Sequence, residues 1–300
     1  MKGCLVFSLL CLISLSAFAF YTNYSTLLLN PVPNQAPYLL EVSEDTYSFN
    51  PFAIQEIRYA INDLISRQYF VDNLTGLGSI YPLYLPIGYS EAYFSEGTIL
   101  DERDFSYEGH EERAIGVITQ ALTNAASLPE LSDRLIKQAD GFWYFDGERV
   151  TVKHYVRTED DYRQQTGEYI SEQLEKAGFE VETILATFSE VTPIVYYSDP
   201  ALLEWSAYTE WWGSPAPRFS HVARFRVFMQ MYAPCFNYMP GGNTPGFWSY
   251  TNEPIDKKAG DFMNKIYFSE TEMKSLYLDV LKLGLNDSVR IWLFGFVFAN

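Results

Sequence analysis

The sequence is poor in cysteine and in positive charge, and each shortage excludes a class of protein. Only three cysteines occur in 300 residues, and Cys4 and Cys11 lie in an N-terminal segment that we expect to be removed. Cys235 then stands alone, so the mature chain has no internal disulfide and depends on its hydrophobic core. Against 38 acidic residues stand 21 Lys and Arg, which gives a net charge of −17. Such a surface repels phosphate backbones, and we expect no nucleic acid partner.

Motifs of common enzyme classes are also missing. His110-Glu111 begins like the helix of a zinc protease, but Ala114 stands where the second histidine ligand would be. The sequence contains no phosphate-binding loop ending in Lys-Ser/Thr and no nucleophile elbow. We therefore expect a protein that is not an enzyme, with no catalytic residue, no metal and no cofactor. A carbohydrate-active enzyme is the remaining enzymatic alternative, because two carboxylates that flank a sugar need no fixed spacing in sequence.

Long apolar runs are confined to the two ends of the chain. Residues 1–20 combine Lys2, an apolar stretch and the small-residue pattern Ala17-Phe18-Ala19, which predicts a signal peptide and export. The alternative is an anchoring helix, which needs about 20 mostly apolar residues, whereas polar residues follow at 21–26. Residues 289–298 are too short to span a bilayer and predict a buried terminal strand.

Aromatic residues are abundant. The chain has 23 Tyr, 22 Phe and 6 Trp, and 48% of its residues are hydrophobic. This suffices for the core of one large domain or two modest ones. Because Tyr and Trp combine flat apolar area with a polar edge, we expect some of these rings to line a cleft.

The clearest periodicity lies in the middle of the sequence. Residues 150–156 alternate valine with polar residues, which predicts a strand on which His154 is half-buried and is not a ligand. A helix follows with Ile170 and Leu174 on one face and Gly178 at its end, and 179–185 predicts a second strand. A strand, a helix and a strand with short joints form a βαβ unit. The predicted fold class is therefore α/β with α+β elements, a mixed sheet flanked by helices.

Weaker patterns predict the remaining elements. They are a strand at Thr26–Asn30, a helix from Asn50-Pro51 to about Phe70, a loop at 73–100, helices near 111–126 and 129–139, a hairpin turn at Asp146-Gly147, a loop-rich segment at 187–260 and a helix from Ser269 to Gly284.

Several segments, taken in order, resemble the family 5 extracytoplasmic solute-binding proteins, which serve dipeptide, oligopeptide and nickel ABC importers. The segments are Asn50–Asn62, Asp140–Trp143 with Asp146-Gly147, Gly167–Phe179, Asp199-Pro200, Tyr208–Gly213, Met239–Gly242 and Tyr250–Asp256. Each is weak alone, but their order and spacing make the resemblance specific.

The resemblance implies one lobe of a clamshell of the type II periplasmic-binding-protein kind. Residues 26–298 correspond to the distal lobe, with 26–30 and 289–298 as the crossover strands, and the N-terminal lobe is missing. We therefore expect a fragment, a degenerate copy or a lobe that is made as a separate chain.

The implied function is that of a non-catalytic binding component for peptides or a similar small solute, in the periplasm or on the outer face of the cytoplasmic membrane. Its partners would be a small-molecule or peptide ligand, an ABC permease and the missing lobe. Two alternatives remain open: a structural or interaction lobe without a ligand, and the carbohydrate-active enzyme.

The resemblance also suggests where a ligand would bind. In relatives that take peptides, an Asp three residues after the motif tryptophan pairs with the ligand's ammonium. Counting from Trp211 gives Ser214, and counting from Trp212 gives Pro215, so the acid is missing. Glu210 is the substitute to test.

Four rings are the candidates for the cleft lining: Trp211, Trp212, Phe247 and Trp248. The alternative interpretation is that they belong to the core of the lobe, since aromatic side chains commonly do.

Overall fold

The computed structural model describes residues 20–75, 79–80, 106–213, 231–232, 239–242, 250, 252–264 and 269–299. The predicted signal peptide at 1–20 lies outside them except for its last residue. The strands are β1 (Phe20–Leu29), β2 (Leu39–Ser43), β3 (Thr46–Phe49), β4 (Ser79–Ile80), β5 (Leu135–Lys137), β6 (Trp143–Phe145), β7 (Glu148–Arg149), β8 (Thr151–Arg157), β9 (Glu180–Ala186), β10 (Ala207–Gly213) and β11 (Arg290–Ala299). The α-helices are α1 (Gln55–Leu64), α2 (Arg67–Phe70), α3 (Glu111–Ala126), α4 (Asp161–Lys176), α5 (Phe188–Tyr197), α6 (Glu253–Met263) and α7 (Glu270–Asp287).

A six-stranded mixed sheet organises the molecule. Its order is β4-β11-β1-β10-β8-β9. Strands β8, β9 and β10 run parallel, whereas β1 is antiparallel to both β10 and β11. Helices flank this sheet, so the predicted fold class, a mixed α/β sheet with helices around it, is confirmed.

The predicted βαβ unit is β8-α4-β9. The Asp160 side chain accepts from the backbone N–H of Arg163 and so caps α4 at its start. Gly178 ends the connection with φ +92°, a conformation that glycine adopts without a steric penalty. Ile170 and Leu174 lie on the inner face of α4 and are fully buried against the sheet. The unit therefore forms for the local reasons that the sequence indicates.

Successive residues of the central strands point to opposite faces of the sheet. Leu27 faces a large core that also contains residues of α1, α3 and α4. Leu28 faces a second core on the other side, formed with Val191 and Val195 of α5 and with Trp205. Both faces of the central sheet are thus covered at β1, which explains why the consecutive residues Leu27, Leu28 and Leu29 are all fully buried.

The two ends of the described chain lie side by side. Phe20 at the start of β1 is paired in register with Ala299 at the end of β11. Both lie at the same edge as Gly213, the last residue of β10. We call this edge, where the parallel strands β8, β9 and β10 end, the carboxyl edge. The strands predicted at 26–30 and 289–298 are confirmed, and β1 extends further toward the N-terminus than expected.

Four of the weaker predictions need correction. The helix expected from Asn50 to Phe70 is a 3₁₀ turn at Pro51–Ala53 followed by α1 and α2, with a break at 65–66 where the backbone becomes extended. The helix predicted at 129–139 is wrong, because its second half pairs with β6 as strand β5. The segment at 187–260 contains α5, β10 and the start of α6, so it is less loop-rich than predicted. Of the predicted loop at 73–100, residues 73–75 end a π-helical turn at Val71–Thr75 and 79–80 form β4, while 76–78 and 81–100 lie outside the described residues.

Two predicted elements hold closely. The hairpin turn at Asp146-Gly147 joins β6 to β7. Ser269 and Glu272 form the expected capping box at the start of α7, which continues three residues past Gly284. Within the described ranges no helix is both long and apolar enough to cross a bilayer.

Candidate functional site

The end of β10 lies at the carboxyl edge, the side of an open α/β sheet on which ligands commonly bind. Three of the predicted site residues lie on this strand, in the three positions before Gly213: Glu210, Trp211 and Trp212. The other three predicted site residues, Ser214, Phe247 and Trp248, lie outside the described residues. The structure therefore places half of the predicted set together.

Trp211 and Trp212 lie on opposite faces of the sheet, as neighbours on a strand must. The Trp211 ring packs edge-on against Phe294, with centroids 5.8 Å apart, and the guanidinium of Arg163 lies 4.5 Å from its centroid. The Trp212 ring lies 5.7 Å from the guanidinium of Arg290. Both rings are half-buried. They border the edge from its two sides and do not form one continuous wall.

Glu210 lies in the interior, on the same face of the sheet as Trp212. Its Oε2 accepts from Thr26 Oγ1 at 2.7 Å and from Trp212 Nε1 at 3.0 Å, and its Oε1 accepts from the Tyr196 hydroxyl. Arg290 donates from Nε to Oε2 at 2.7 Å and from Nη2 to Oε1 at 3.1 Å. Glu210 is only 1% exposed. Five donors thus occupy the carboxylate, and its described contacts are all internal.

The Glu210 side chain remains an ionised carboxylate in this position. Burial by itself would raise the pKa of Glu210, but the charge of Arg290 and the hydrogen bonds outweigh burial and hold the pKa below its usual value. Burial and the neighbouring Glu210 charge raise the pKa of Tyr196 well above its usual value. Neither group is therefore suited to proton transfer near neutral pH, and the arrangement fixes the end of β10.

A second charged cluster borders the same edge. Arg157, at the end of β8, donates from Nε to Glu159 at 2.7 Å and lies 4.8 Å from the ring centroid of Phe188. Glu159 also accepts from the Phe188 backbone N–H at 2.6 Å, which joins β8 to the start of α5. Phe188 is 53% exposed. With Arg163 on Trp211 and Arg290 on Trp212, three aromatic rings at this edge each have an arginine on one face.

Sequence reasoning missed these arginines. Arg290 is the only charged residue in the apolar run 289–298, and Glu210 is the only charged residue of the strand that we failed to predict. A lone cation and a lone acid on two buried strands are a signal for a buried ion pair, because an isolated charge there would be costly. No comparable local signal marks Arg157 or Arg163.

The described residues contain no group of three or more His, Cys, Asp or Glu side chains that could hold a metal ion. His154 belongs to the interior of the βαβ unit, away from the edge. It is fully buried, where we predicted half-burial, because α4 covers its strand. Its Nδ1 lies 2.9 Å from Ser171 Oγ, and burial lowers its pKa to about 3.

No protein-family model matches the sequence, and no curated protein matches it. Solved structures do match the fold. NikZ from Campylobacter jejuni, solved in complex with Ni(L-His), superposes with a TM-score of 0.57 at 16% identity over 95% of this chain. Lactococcal OppA, solved with an endogenous peptide in the closed conformation, gives 0.62 at 14% identity over 96%. This chain spans 49% of each of those two chains.

A third solved structure, described as a peptide-binding protein of a peptide ABC transporter, gives a TM-score of 0.62 at 16% identity. It aligns over 91% of this chain and 99% of its own. The resemblance to solute-binding proteins of the peptide and nickel type is thus confirmed at the level of the fold. The matched architecture is that of the type II clamshell proteins, of which this chain covers about half in the two longer structures.

Proposed function

We propose that this chain is a ligand-binding lobe of an extracytoplasmic solute-binding protein that works with an ABC importer. The observation that carries the proposal is the carboxyl edge, where Phe20 and Ala299, the two ends of the described chain, lie side by side near Trp211 and Trp212. A lobe whose two ends leave side by side next to its binding edge suits a hinged pair of lobes that close on a solute.

The chemistry of the edge supports binding without catalysis. Glu210 is saturated by internal donors, and its role in this proposal is to hold Trp212 and the end of β10 in place. The half-buried rings and the guanidinium groups beside them would then supply flat contact area for a solute. Peptides and nickel chelates are the solute classes to test first, because the matched structures carry them. Export and docking on a permease belong to the same proposal.

The test is titration calorimetry of the full chain with a nonapeptide, a tripeptide and the Ni²⁺–L-histidine complex. We expect saturable heat with at least one of them and no chemical change in the solute. The Trp211→Ala variant should then bind about tenfold more weakly, as expected when an aromatic contact is lost. Tyr197→Ala is the matched control, since Tyr197 is 53% exposed at the far end of α5 and its loss should leave binding unchanged.

The absence of binding heat with all three solutes would contradict the proposal and favour a structural lobe without a ligand. Conversion of a solute to a product would establish an enzyme instead. If Trp211→Ala binds as the unaltered chain does, the site assignment is wrong even though the lobe binds a solute.

A further inference from the structure

A groove of about 420 Å³ opens at the opposite end of the sheet, where the parallel strands begin. Strand β3 and the two residues after it form one wall, the β6-β7 turn forms the other, and the start of β8 lies at its base with Leu203 and Ser206. Lys153, at the base of the groove, lies four residues before Arg157 at the end of β8, so it is about 13 Å from the carboxyl edge at ~3.3 Å per residue. The groove is therefore separate from the candidate site at Trp211 and Trp212.

The apolar part of the groove is held rigidly. The rings of Phe49 and Phe145 pack with centroids 6.0 Å apart, one from each wall. Arg134 covers the Phe145 ring at 4.7 Å and forms a two-pronged pair with Asp146, at 2.7 and 2.6 Å. The groove thus has fixed aromatic walls before any ligand arrives, which reduces the cost of binding.

The positive charges around the groove are not equivalent. Arg134 is neutralised by Asp146, and Arg149 by Asp140 at 3.0 Å and Glu180 at 3.5 Å. Lys153 has no carboxylate within 4 Å in the described part of the chain; its ammonium donates only to the Leu203 carbonyl, at 3.3 Å. Glu182, its partner in register on β9, forms no ion pair with it within 4 Å, so the half-buried Lys153 ammonium, unlike Arg134 and Arg149, is not held by a carboxylate.

The backbone positions that ammonium. Ser206 bonds to Lys153 on both sides: its Oγ accepts from the Lys153 N–H at 3.2 Å, and its own N–H donates to the Lys153 carbonyl at 2.9 Å. The Leu203 carbonyl accepts the hydrogen bond from this ammonium. Leu203 has φ +48° and ψ +37°, a left-handed conformation that a leucine rarely adopts. Leu203 is the C-terminal cap of the 3₁₀ turn Pro200–Leu202, a position at which a left-handed residue is common, and this cap directs its carbonyl toward Lys153.

We propose that this groove binds a small carboxylate-bearing molecule with an apolar or aromatic body. The ligand carboxylate would pair with the Lys153 ammonium at the base, and the apolar body would lie against the half-buried Phe145 ring, which packs on Phe49. A charge-assisted hydrogen bond to Lys153 supplies the selectivity for an acid. The proposal is independent of the solute-binding function, because it uses no residue of the carboxyl edge.

The test compares two probes of nearly equal shape, 3-phenylpropionate and 3-phenylpropan-1-ol, by titration of backbone amide resonances. We expect the acid to shift the amides of Lys153 and Ser206 and to bind about tenfold more tightly than the alcohol. Lys153→Met should remove this preference. The matched control is Lys257→Met, which removes one positive charge from an exposed helix surface and should keep it.

Three results would overturn the proposal. The first is equal affinity of the unaltered chain for the acid and the alcohol, a comparison that needs no variant to fold. The second is amide shifts confined to the carboxyl edge, or no saturable shift with either probe. The third is loss of the preference for the acid in Lys257→Met, which would attribute that preference to overall charge.

Discussion

Arg290 donates to both carboxylate oxygens of Glu210 from a position 80 residues further along the chain. Both side chains are buried, and Thr26 and Trp212 donate to the same carboxylate. This pair joins β10 to β11 across β1, which lies between them. It therefore connects the strand that carries the two tryptophans to the strand that ends the described chain.

Removal of the cation alone should be costly. Arg290→Met leaves the Glu210 carboxylate buried without its counter-ion, and we expect a loss of about 3–5 kcal/mol in the free energy of unfolding. The double variant Arg290→Met/Glu210→Gln removes the buried charge and keeps an oxygen acceptor for Thr26 and Trp212. It should be more stable than Arg290→Met by about 1–2 kcal/mol. Urea denaturation at pH 7 measures both differences.

An exposed ion pair provides the control. Lys257 and Asp261 pair at 3.0 Å on α6, with 72% of the lysine side chain exposed. Lys257→Met should change stability by about 0–1 kcal/mol, because water already screens this pair. A similar small effect for Arg290→Met would show that Glu210 does not depend on Arg290.

The sequence predicts the βαβ unit well because its signals are local. Alternating valines, the buried stripe of α4 and the left-handed Gly178 act within short stretches of chain. Strand β5 was missed for the opposite reason: its three residues form a strand through pairing with β6, a contact that local periodicity does not contain. Strand β10 was missed because Ala207–Glu210 are buried on both faces, so they show no alternation.

The candidate site was predicted only in part for similar reasons. Trp211 and Trp212 could be named from composition and from the resemblance, because each aromatic residue can be recognised in the sequence without knowing its neighbours in space. The arginine on each ring could not, because Arg163 and Arg290 come from α4 and β11, far away in sequence. Burial of Glu210 likewise follows from the sheet order, which the sequence did not reveal.

His154 should make stability depend on pH in a defined window. Its pKa is about 3 in the folded chain and about 6.5 when unfolded, so the folded state disfavours the proton. The contribution of the neutral imidazole is fully present above pH 6.5 and is lost as the pH falls toward 3. Between pH 7.5 and pH 5 this single group should reduce the free energy of unfolding by about 2 kcal/mol.

The variant His154→Gln isolates this effect, because the two other histidines and all carboxylates are common to both proteins. We expect the stability difference between the unaltered chain and the variant to shrink by about 2 kcal/mol from pH 7.5 to pH 5. Guanidinium denaturation at several pH values measures it. Parallel stability curves would mean that His154 can be protonated in the folded state.

Two helical glycines should respond in opposite directions to replacement by alanine. A Cβ at Gly167 in α4 would overlap both methyl groups of Val156 on β8, so glycine here permits the close approach of the helix to the sheet. Gly167→Ala should therefore lower the free energy of unfolding by about 1–3 kcal/mol despite the better helix propensity of alanine.

Gly260 in α6 is the matched position, because a Cβ there meets no atom of the described residues within 4 Å. Gly260→Ala should raise the free energy of unfolding by about 0.5–1 kcal/mol through helix propensity alone. Thermal and urea denaturation of the two variants tests the pair. Equal stabilisation by both alanines would show that α4 lies further from β8 than the βαβ unit requires, and the packing that supports the carboxyl edge would have to be reconsidered.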